Sequence, residues 1–409
     1  MNAITVDEVY DAAVKLMGGA SMNQGSRLKA HLVPSTALGA RQGSRQEPST
    51  FSLQPSAQRV STLQRQRVLI IGPSNIGDAI LASDVVAAVS QHFADAHLTL
   101  VVGERAKAVF VDDPRIHTLV DADAFTSLAG RLKLALALWR YHPHIVVDLR
   151  HTLYPVLLKP LRVWRYAFSP PKTLIHMRDR HLWKLSAQVP EIASSNTLHR
   201  SASRGARVNG AAVWLSAKDT LHIDGLWRRW NFTDSERLVI ICPGARSHIK
   251  RWDTVGFARV ADRLIREAGV RVVFCGEPEE EPIVESIRDL MGQPALSAVG
   301  LTTIRQLGAL MQRAQLVITN DSASLHLASA LQVPTLAIFG PTNATKYGPT
   351  VLPSRVIRRR LFCAPCEAPQ CRFNHECMRF ITPEEVWEAA KELLEGRRWK
   401  VEGGRAGAP

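Results

Sequence analysis

The chain has 409 residues, 46% of them hydrophobic, and at roughly 100–200 residues per domain this length predicts about two domains, each with its own core. Lys and Arg outnumber Asp and Glu by 51 to 37, and the net charge of +14 favours an anionic partner such as nucleic acid, acidic lipid or a phosphorylated substrate. No run approaches the ~18 uninterrupted apolar residues of a membrane span, and the start of the chain lacks a secretory core, so we expect a cytoplasmic protein.

Residues 1–66 differ in character from the rest of the chain. Val6 to Met17 has the spacing of an amphipathic helix, and the residues after it are rich in Ser, Gln, Arg and Gly. A segment of this composition buries too little apolar surface to offset the entropy of folding. We therefore predict a disordered N-terminal extension, whose basic residues are either solvated or in contact with a membrane.

From residue 67 onward, apolar strands alternate with helices in two successive series. In the first series, strands are predicted at 67–71, 98–102, 116–120 and 144–149, and helices at 79–89, 106–110 and 124–141. In the second series, strands are predicted at 237–242, 270–275, 316–318 and 335–339, and helices at 252–268, 281–291, 304–313 and 325–331. This alternation indicates an α/β fold in which helices cover both faces of a parallel sheet. We expect two such domains, joined near residues 225–236, with a cleft between them.

The segment 154–184 mixes large apolar and aromatic side chains with basic ones. That composition suits a membrane interface or a phosphate-bearing acceptor, and a core helix with charged ends would have it as well. Both interpretations stay open. The basic residues of the segment are Arg162, Arg165, Lys172, Arg178, Arg180 and Lys184.

The loop after the first strand carries a candidate base. Gly77 permits close approach of the backbone to a ligand, and Asp78 follows it at the start of the predicted helix. A carboxylate at the carboxyl end of a parallel strand faces the ligand crevice, where it could act as a general base. The alternative role of Asp78 is to stabilise the positive end of the helix dipole.

Two loops of the second series carry groups suited to a phosphorylated ligand. The loop 243–252 contains Arg246, Ser247 and Lys250, whose cations could neutralise a diphosphate leaving group or could simply be solvated. Glu277 follows the next strand, where a carboxylate could accept hydrogen bonds from ribose hydroxyls.

The stretch 319–342 reads as the end of a buried strand, a polar turn, a short helix and a second strand. Asp321, Ser322 and Ala323 form the turn and the helix start. Backbone N–H groups and the positive helix end then lie at the carboxyl edge of the sheet, which predicts an anion site. His326, on the short helix, either lines this site or is a core histidine.

A group of cysteines follows the last predicted strand. Its spacing allows either a structural zinc site or a reduced structural knuckle without metal. The four residues are Cys363, Cys366, Cys371 and Cys377.

These motifs, in this order, resemble glycosyltransferase family 9, the ADP-heptose:lipopolysaccharide heptosyltransferases and their relatives. VLIIGPSNIGDAIL resembles the first loop of that family, PGARSHIKRW its phosphate-contacting loop, and LVITNDSASLHLASALQVPTLAIFGPTNATKYGP its strongest signature. The cysteine-rich segment is also similar to segments of many members. The resemblance covers residues 67–395.

The resemblance implies a GT-B architecture, in which two Rossmann-like domains face a central cleft. The acceptor-side domain is then expected at 67–230 and the nucleotide-sugar domain at 231–382. Residues 383–409 are expected to form a helix that packs back towards the first domain, followed by a tail.

The resemblance also assigns roles to individual residues. Asp78 becomes the catalytic base, Lys250 a phosphate contact, and Asp321, Ser322 and His326 the pocket around the diphosphate and sugar. Family members usually carry Gly at the position of Ala323.

The implied activity is inverting transfer of a heptose from ADP-heptose to a lipopolysaccharide core or related glycan, without a metal in catalysis. A nucleotide sugar and a glycolipid acceptor are the expected partners, nucleic acid is not, and peripheral contact with the inner face of the inner membrane is expected. Two other classes stay open, namely a nucleotide-sugar epimerase and a non-catalytic nucleotide-sugar-binding relative.

Overall fold

The computed structural model describes residues 65–402 apart from 126, 159–168, 194–211, 234 and 351–352. The expected extension up to residue 64 therefore lies outside the described residues, together with the helix predicted at Val6 to Met17. Arg162 and Arg165 lie outside them as well. The domain limits given above remain predictions.

The first half of the described chain contains a four-stranded parallel sheet with the strand order β3-β2-β1-β4. Its strands are β1 Arg67–Ile71, β2 His97–Val102, β3 Thr118–Asp121 and β4 Ile145–Asp148. Its helices are α1 Ile76–His92, α2 Glu104–Phe110, α3 Leu128–Arg140, α4 Tyr154–Leu158, α5 Met177–Gln188 and α6 Pro190–Ala193. The strands are apolar along nearly their whole length because helices cover both faces of the sheet.

The second half contains a six-stranded parallel sheet with the order β10-β9-β8-β5-β6-β7. Its strands are β5 Leu238–Cys242, β6 Arg271–Phe274, β7 Leu296–Ser297, β8 Leu316–Asn320, β9 Thr335–Phe339 and β10 Ser354–Arg358. The helices of this half begin with α7 Ala217–Arg229, α8 Thr254–Ala268, α9 Glu281–Asp289 and α10 Ile304–Met311. They continue with α11 Ala323–Ala330, α12 Ala344–Tyr347, α13 Glu376–Arg379 and α14 Pro383–Glu402. The predicted α/β class with two parallel sheets is confirmed.

The two halves are joined by apolar packing. Helix α11 packs against α1, and one hydrophobic cluster extends from the first sheet through these helices into the second half. The carboxyl ends of β1 and β8, from which α1 and α11 start, therefore face each other. This arrangement brings the loop after β1 and the turn after β8 together.

The segment 154–184 had two open interpretations, and its last part lies in a core helix. Helix α5 packs against α1 and buries Leu182, Lys184 and Leu185. The ammonium group of Lys184 donates to the Leu149 carbonyl at 2.6 Å, and Arg178 pairs with Asp84 of α1. The structure thus supports the core-helix interpretation for residues 177–188. None of the helices described is both long and apolar enough to span a bilayer.

The last helix corrects one expectation. We expected α14 to pack back towards the first domain, but its buried residues Val386, Trp387 and Leu393 join the core of the second sheet. The helix lies against α8 and also contacts β10. Its apolar stripe therefore covers a face of the second sheet that the preceding helices leave open, and burial of that face determines where the helix docks.

Replacing Trp387 by Ala tests this docking. Trp387 is 2% exposed, and the Arg263 guanidinium carbon lies 4.6 Å from its ring centroid. We expect Trp387→Ala to lower the free energy of unfolding by about 3–5 kcal/mol, because a buried aromatic side chain is lost and a cavity remains. Chemical denaturation followed by circular dichroism measures the change. Lys391→Ala, at an exposed position of the same helix, should change it by less than about 0.5 kcal/mol, and an equally small change for Trp387→Ala would contradict the docking.

Candidate functional site

The site lies where the first turn of α1 meets the first turn of α11. An ideal Cβ on Gly77 would lie 3.0 Å from Cδ2 of His326 and 3.8 Å from Cα of Ala323. A side chain at position 77 would therefore press against the imidazole of the opposite half and contact its backbone. The absence of a side chain at Gly77 allows the two halves to approach this closely.

Asp78 is partly exposed in the first turn of α1. Asn75, at the N-cap, donates from Nδ2 to Oδ2 of Asp78 at 3.4 Å. The negative charge of Asp78 acts on His326 across the junction and favours the protonated form of that imidazole. The carboxylate predicted as the base thus belongs to the first half and faces the signature helix of the second.

Lys250 and Asp321 form the central ion pair of the site. Lys250 Nζ donates to Asp321 Oδ2 at 2.7 Å, and Thr342 Oγ1 donates to the same oxygen at 2.7 Å. The Asp321 side chain is only 4% exposed, whereas that of Lys250 is 30% exposed. The pair therefore has a buried anionic end and a cationic end that is accessible from the cleft.

Asn320 fixes the positions of the loops that carry this pair. Its side chain is fully buried, donates from Nδ2 to the Pro243 carbonyl at 2.6 Å and accepts from the Trp252 backbone N–H at 3.2 Å. Trp252 in turn donates from Nε1 to the Ile381 carbonyl at 3.1 Å. The ends of β5 and β8 are thus held together on both sides of Lys250.

His326 is buried between the two halves and is neutral at pH 7. Burial lowers its pKa to about 4, opposed by the charges of Asp321 and Asp78 and reinforced by those of His176 and Lys250. A neutral imidazole can donate one hydrogen bond and accept another. Sequence reasoning left His326 open between a core residue and a site residue, and the structure shows it to be buried at the junction itself.

Two further contacts cross the cleft. Arg246, in the loop after β5, donates from its guanidinium to Oδ1 of Asn75 at 3.0 Å. Arg105, at the start of α2, donates to both carboxylate oxygens of Glu277 at 3.1 Å. Arg246 and Glu277 were predicted to contact a nucleotide sugar. In this structure, each of them instead contacts a residue of the opposite half.

The remaining predicted residues lie at the helix starts. Ser322 is the N-cap of α11 and makes no capping hydrogen bond with its side chain, while Ala323 is the first helical residue. Ser247 precedes the short 3₁₀ turn His248–Lys250, whose backbone N–H at Lys250 donates to the Ser247 carbonyl at 3.1 Å. The N–H groups in the first turn of a helix have no intrahelical partner, so the start of α11 is available to an anion.

Sequence reasoning missed four residues of the site, and each lies at the end of a strand or in the loop that follows it. These are Asn75, Glu280, Asn320 and Thr342. Glu280 lies against Gly244 and Gly276, where a Cβ on either glycine would collide with its carboxylate, and burial raises the pKa of Glu280. The available signal was a polar residue at or near the carboxyl end of an apolar strand.

The cysteine segment lies next to the loop that carries Thr342. The backbone N–H of Cys366 donates to the Pro341 carbonyl at 2.9 Å, and burial, together with the three neighbouring thiols, raises the pKa of Cys377 to about 11. All four cysteines are free thiols. Among the residues that the structure describes, no group of three His, Cys, Asp or Glu side chains is arranged to hold a metal ion.

The second half of the chain is similar to a known family of proteins. The sequence model described as "Glycosyltransferase family 9 (heptosyltransferase)" matches residues 216–376. A lipooligosaccharide heptosyltransferase 2 of Campylobacter jejuni is 26% identical over 340 residues, covering 80% of this chain and 98% of the relative. A lipopolysaccharide heptosyltransferase 3 of Escherichia coli is 24% identical over 287 residues, covering 67% and 82%.

Solved structures show the same architecture. A glycosyltransferase of family 9 from Veillonella parvula has a TM-score of 0.64 at 21% identity, covering 81% of this chain and 97% of that one. The ADP-heptose heptosyltransferase II of Escherichia coli has a TM-score of 0.63 at 19% identity, covering 81% and 100%. The predicted GT-B fold is confirmed by these likenesses.

The burial of His326 gives the protein a specific acid sensitivity. An unfolded histidine titrates near pH 6.5 and folded His326 near pH 4, so between these values the unfolded state binds more protons and stability falls as the pH falls. When the pH falls from 7.5 to 5, we expect the free energy of unfolding of wild type to decrease by about 2 kcal/mol more than that of His326→Gln. Denaturation curves at both pH values measure this difference.

The matched control is His248→Gln, a change at an exposed histidine in a neighbouring loop. It should leave the acid dependence of the wild type in place. Equal losses of stability in wild type and His326→Gln would show that His326 does not remain neutral in the folded state.

Proposed function

We propose that this chain, whose residues 216–376 match the model of glycosyltransferase family 9, transfers a heptose from ADP-heptose to a lipopolysaccharide core or a related glycan acceptor. The single observation that carries the mechanism is the position of Asp78 across the cleft from the start of α11. A carboxylate from the first half and an anion site from the second lie on opposite sides of one junction.

The second half is proposed to bind the nucleotide diphosphate of the donor. Lys250 presents a partly exposed ammonium group, and the start of α11 at Ser322 presents backbone N–H groups and the positive end of the helix. Asp321 holds Lys250 in place and, being buried and paired, is itself shielded from the anionic ligand. In the bound state Arg246 is proposed to turn from Asn75 towards the diphosphate, which its exposed position permits.

The first half is proposed to bind the acceptor and to start the reaction. Asp78 takes the proton from an acceptor hydroxyl, and the oxygen forms a bond to the anomeric carbon of the donor sugar. The bond between that carbon and the diphosphate oxygen breaks, and ADP leaves with its additional negative charge. Attack from the side opposite the leaving group inverts the configuration at the anomeric carbon.

The charge that develops on the leaving diphosphate is proposed to be stabilised by this chain's own groups. Lys250, Arg246 and the start of α11 come from the second half and Asp78 from the first, so they are proposed to act on opposite ends of the bond that is exchanged. Preorganised cations and dipoles of this kind are effective because they need not reorient as charge develops. The proposed reaction therefore draws its stabilisation of the leaving group from protein groups.

The neutral state of His326, which burial causes, suits the proposed donor and acceptor roles. Its imidazole lies between Asp78 and the Lys250–Asp321 pair, where a second permanent cation would compete with Lys250 for Asp321. As a neutral group it can donate a hydrogen bond to a sugar hydroxyl without adding charge. We propose that it orients the transferred sugar between the two halves.

Asp78→Asn tests the base. We expect the rate of acceptor-dependent ADP release to fall by about 10²–10⁴-fold, because an amide cannot take the hydroxyl proton. The thermal stabilisation by ADP should stay at its wild-type value, since ADP binds the second half. Asp95→Asn, at an exposed carboxylate beyond the end of α1, is the matched control and should leave the rate unchanged.

The outcome of this experiment separates two failures. If Asp78→Asn retains the wild-type rate, then Asp78 is not the base. If neither wild type nor variant is stabilised by ADP, the donor assignment is wrong whatever the rate.

A further inference from the structure

Helix α3 presents an apolar stripe to solvent. Leu132, Leu136 and Trp139 are 51%, 50% and 54% exposed. Their spacing of four and three residues places them on one face of the helix, one above the other. Leu134 and Leu138 point the other way and are buried against the first sheet. The helix is therefore apolar on two faces, and the sheet accounts for only one of them.

The charged residues of helix α3 are all basic. Residues 128–140 include Arg131, Lys133 and Arg140 and no Asp or Glu. Lys133 and Arg140 follow the stripe along one edge, and Arg131 lies beyond its other edge. The nearest acids along the chain are already engaged, since Asp121 pairs with Lys107 at 3.6 Å and Asp123 accepts from the Glu104 backbone N–H at 3.0 Å.

The neighbouring helix extends the apolar surface. Helix α4 packs against α3, and Leu153 and Leu157, just before and within α4, are 45% and 39% exposed. Isolated exposed leucines are ordinary, whereas several on adjoining helices mark an interaction surface.

The position of α3 relates this surface to the cleft. The helix follows β3 and precedes β4 in a parallel sheet, so its first turn lies at the carboxyl edge of the sheet and its last turn at the amino edge. The cleft with Asp78 lies at the carboxyl edge. The exposed stripe therefore runs outwards from the rim of the acceptor side.

We propose that α3 is a docking surface for an anionic lipid bilayer and lies in the plane of the headgroups. Three apolar side chains insert below the phosphates, the cations contact anionic headgroups, and Trp139 sits at the interface that suits its amphipathic ring. A second copy of this chain is a poorer occupant, because face-to-face packing would bring two sets of cations together. The proposal centres the membrane contact on α3, whereas the sequence left the segment 154–184 open between a membrane interface and a core helix.

The proposed binding to a bilayer does not depend on the reaction. The purpose of this binding rests on the proposed function, since a docked α3 would hold the acceptor side of the cleft near a lipid-linked acceptor. The test therefore measures membrane binding without donor or acceptor.

The experiment is co-sedimentation of the full chain with sonicated vesicles. Vesicles of phosphatidylcholine with phosphatidylglycerol are compared with vesicles of phosphatidylcholine alone, at low salt and at 0.5 M NaCl as a screening condition. We expect wild type to bind the anionic vesicles. The triple variant Leu132→Ser, Leu136→Ser, Trp139→Ser should bind them at least about tenfold more weakly. The double variant Lys133→Gln, Arg140→Gln should bind anionic vesicles more weakly and lose most of the salt dependence.

Leu221→Ser is the matched control. Leu221 is 65% exposed on α7, and that helix has no comparable exposed apolar stripe. Circular dichroism confirms that each variant is folded. Wild-type binding by the triple variant, an equal loss in the control, or no binding of wild type to anionic vesicles would overturn the proposal. A wild-type dimer in sedimentation velocity that the triple variant dissociates, without vesicle binding, would assign the stripe to self-association instead.

Discussion

The structure of the site depends on one buried carboxylate. Asp321 is almost fully removed from water, and an unpaired charge in that position would strongly destabilise the fold. Lys250 and Thr342 satisfy the same oxygen, and they come from the loops after β5 and β9, while Asp321 itself follows β8. Three strand ends are thereby fixed relative to one another. The ammonium group that faces the cleft is positioned by this requirement, which links the stability of the second sheet to its capacity to bind an anion.

The contact between α1 and α11 extends this arrangement to the first half. Gly77 removes the side chain that would otherwise separate the helices, so the Asp78 carboxylate and the Lys250–Asp321 pair both act on the same imidazole. Burial keeps that imidazole neutral. The imidazole therefore adds no charge of its own to the carboxylates of Asp78 and Asp321 and the ammonium group of Lys250 that act on it. Arg246 and Arg105 bridge the same cleft at its edges with polar contacts that a ligand can replace.

Strand and helix identities could be predicted because alternating apolar runs and polar loops repeat along both halves. The predictions were least accurate where tertiary packing decides, as for α14, whose apolar stripe fits either half and whose partner is set by the open face of the second sheet. Of the residues that the structure brings to the junction, Asp78, Lys250, Asp321 and His326 were predicted as site residues because they lie in motifs. Thr342 and Asn320 were missed, since their roles are hydrogen bonds to residues distant in the chain. The exposed stripe of α3 was hidden because its leucines alternate with buried ones.

The central claim is transfer of a sugar between a nucleotide and an acceptor across this junction. Its most direct test is mass spectrometry of the products after incubating the purified protein with ADP-heptose, with and without a lipopolysaccharide inner-core acceptor. The account predicts ADP and an acceptor heavier by one heptose, formed only when the acceptor is present. An altered nucleotide sugar formed without acceptor would assign the site to epimerisation, and unchanged reactants in both incubations would contradict the assignment of this donor and acceptor.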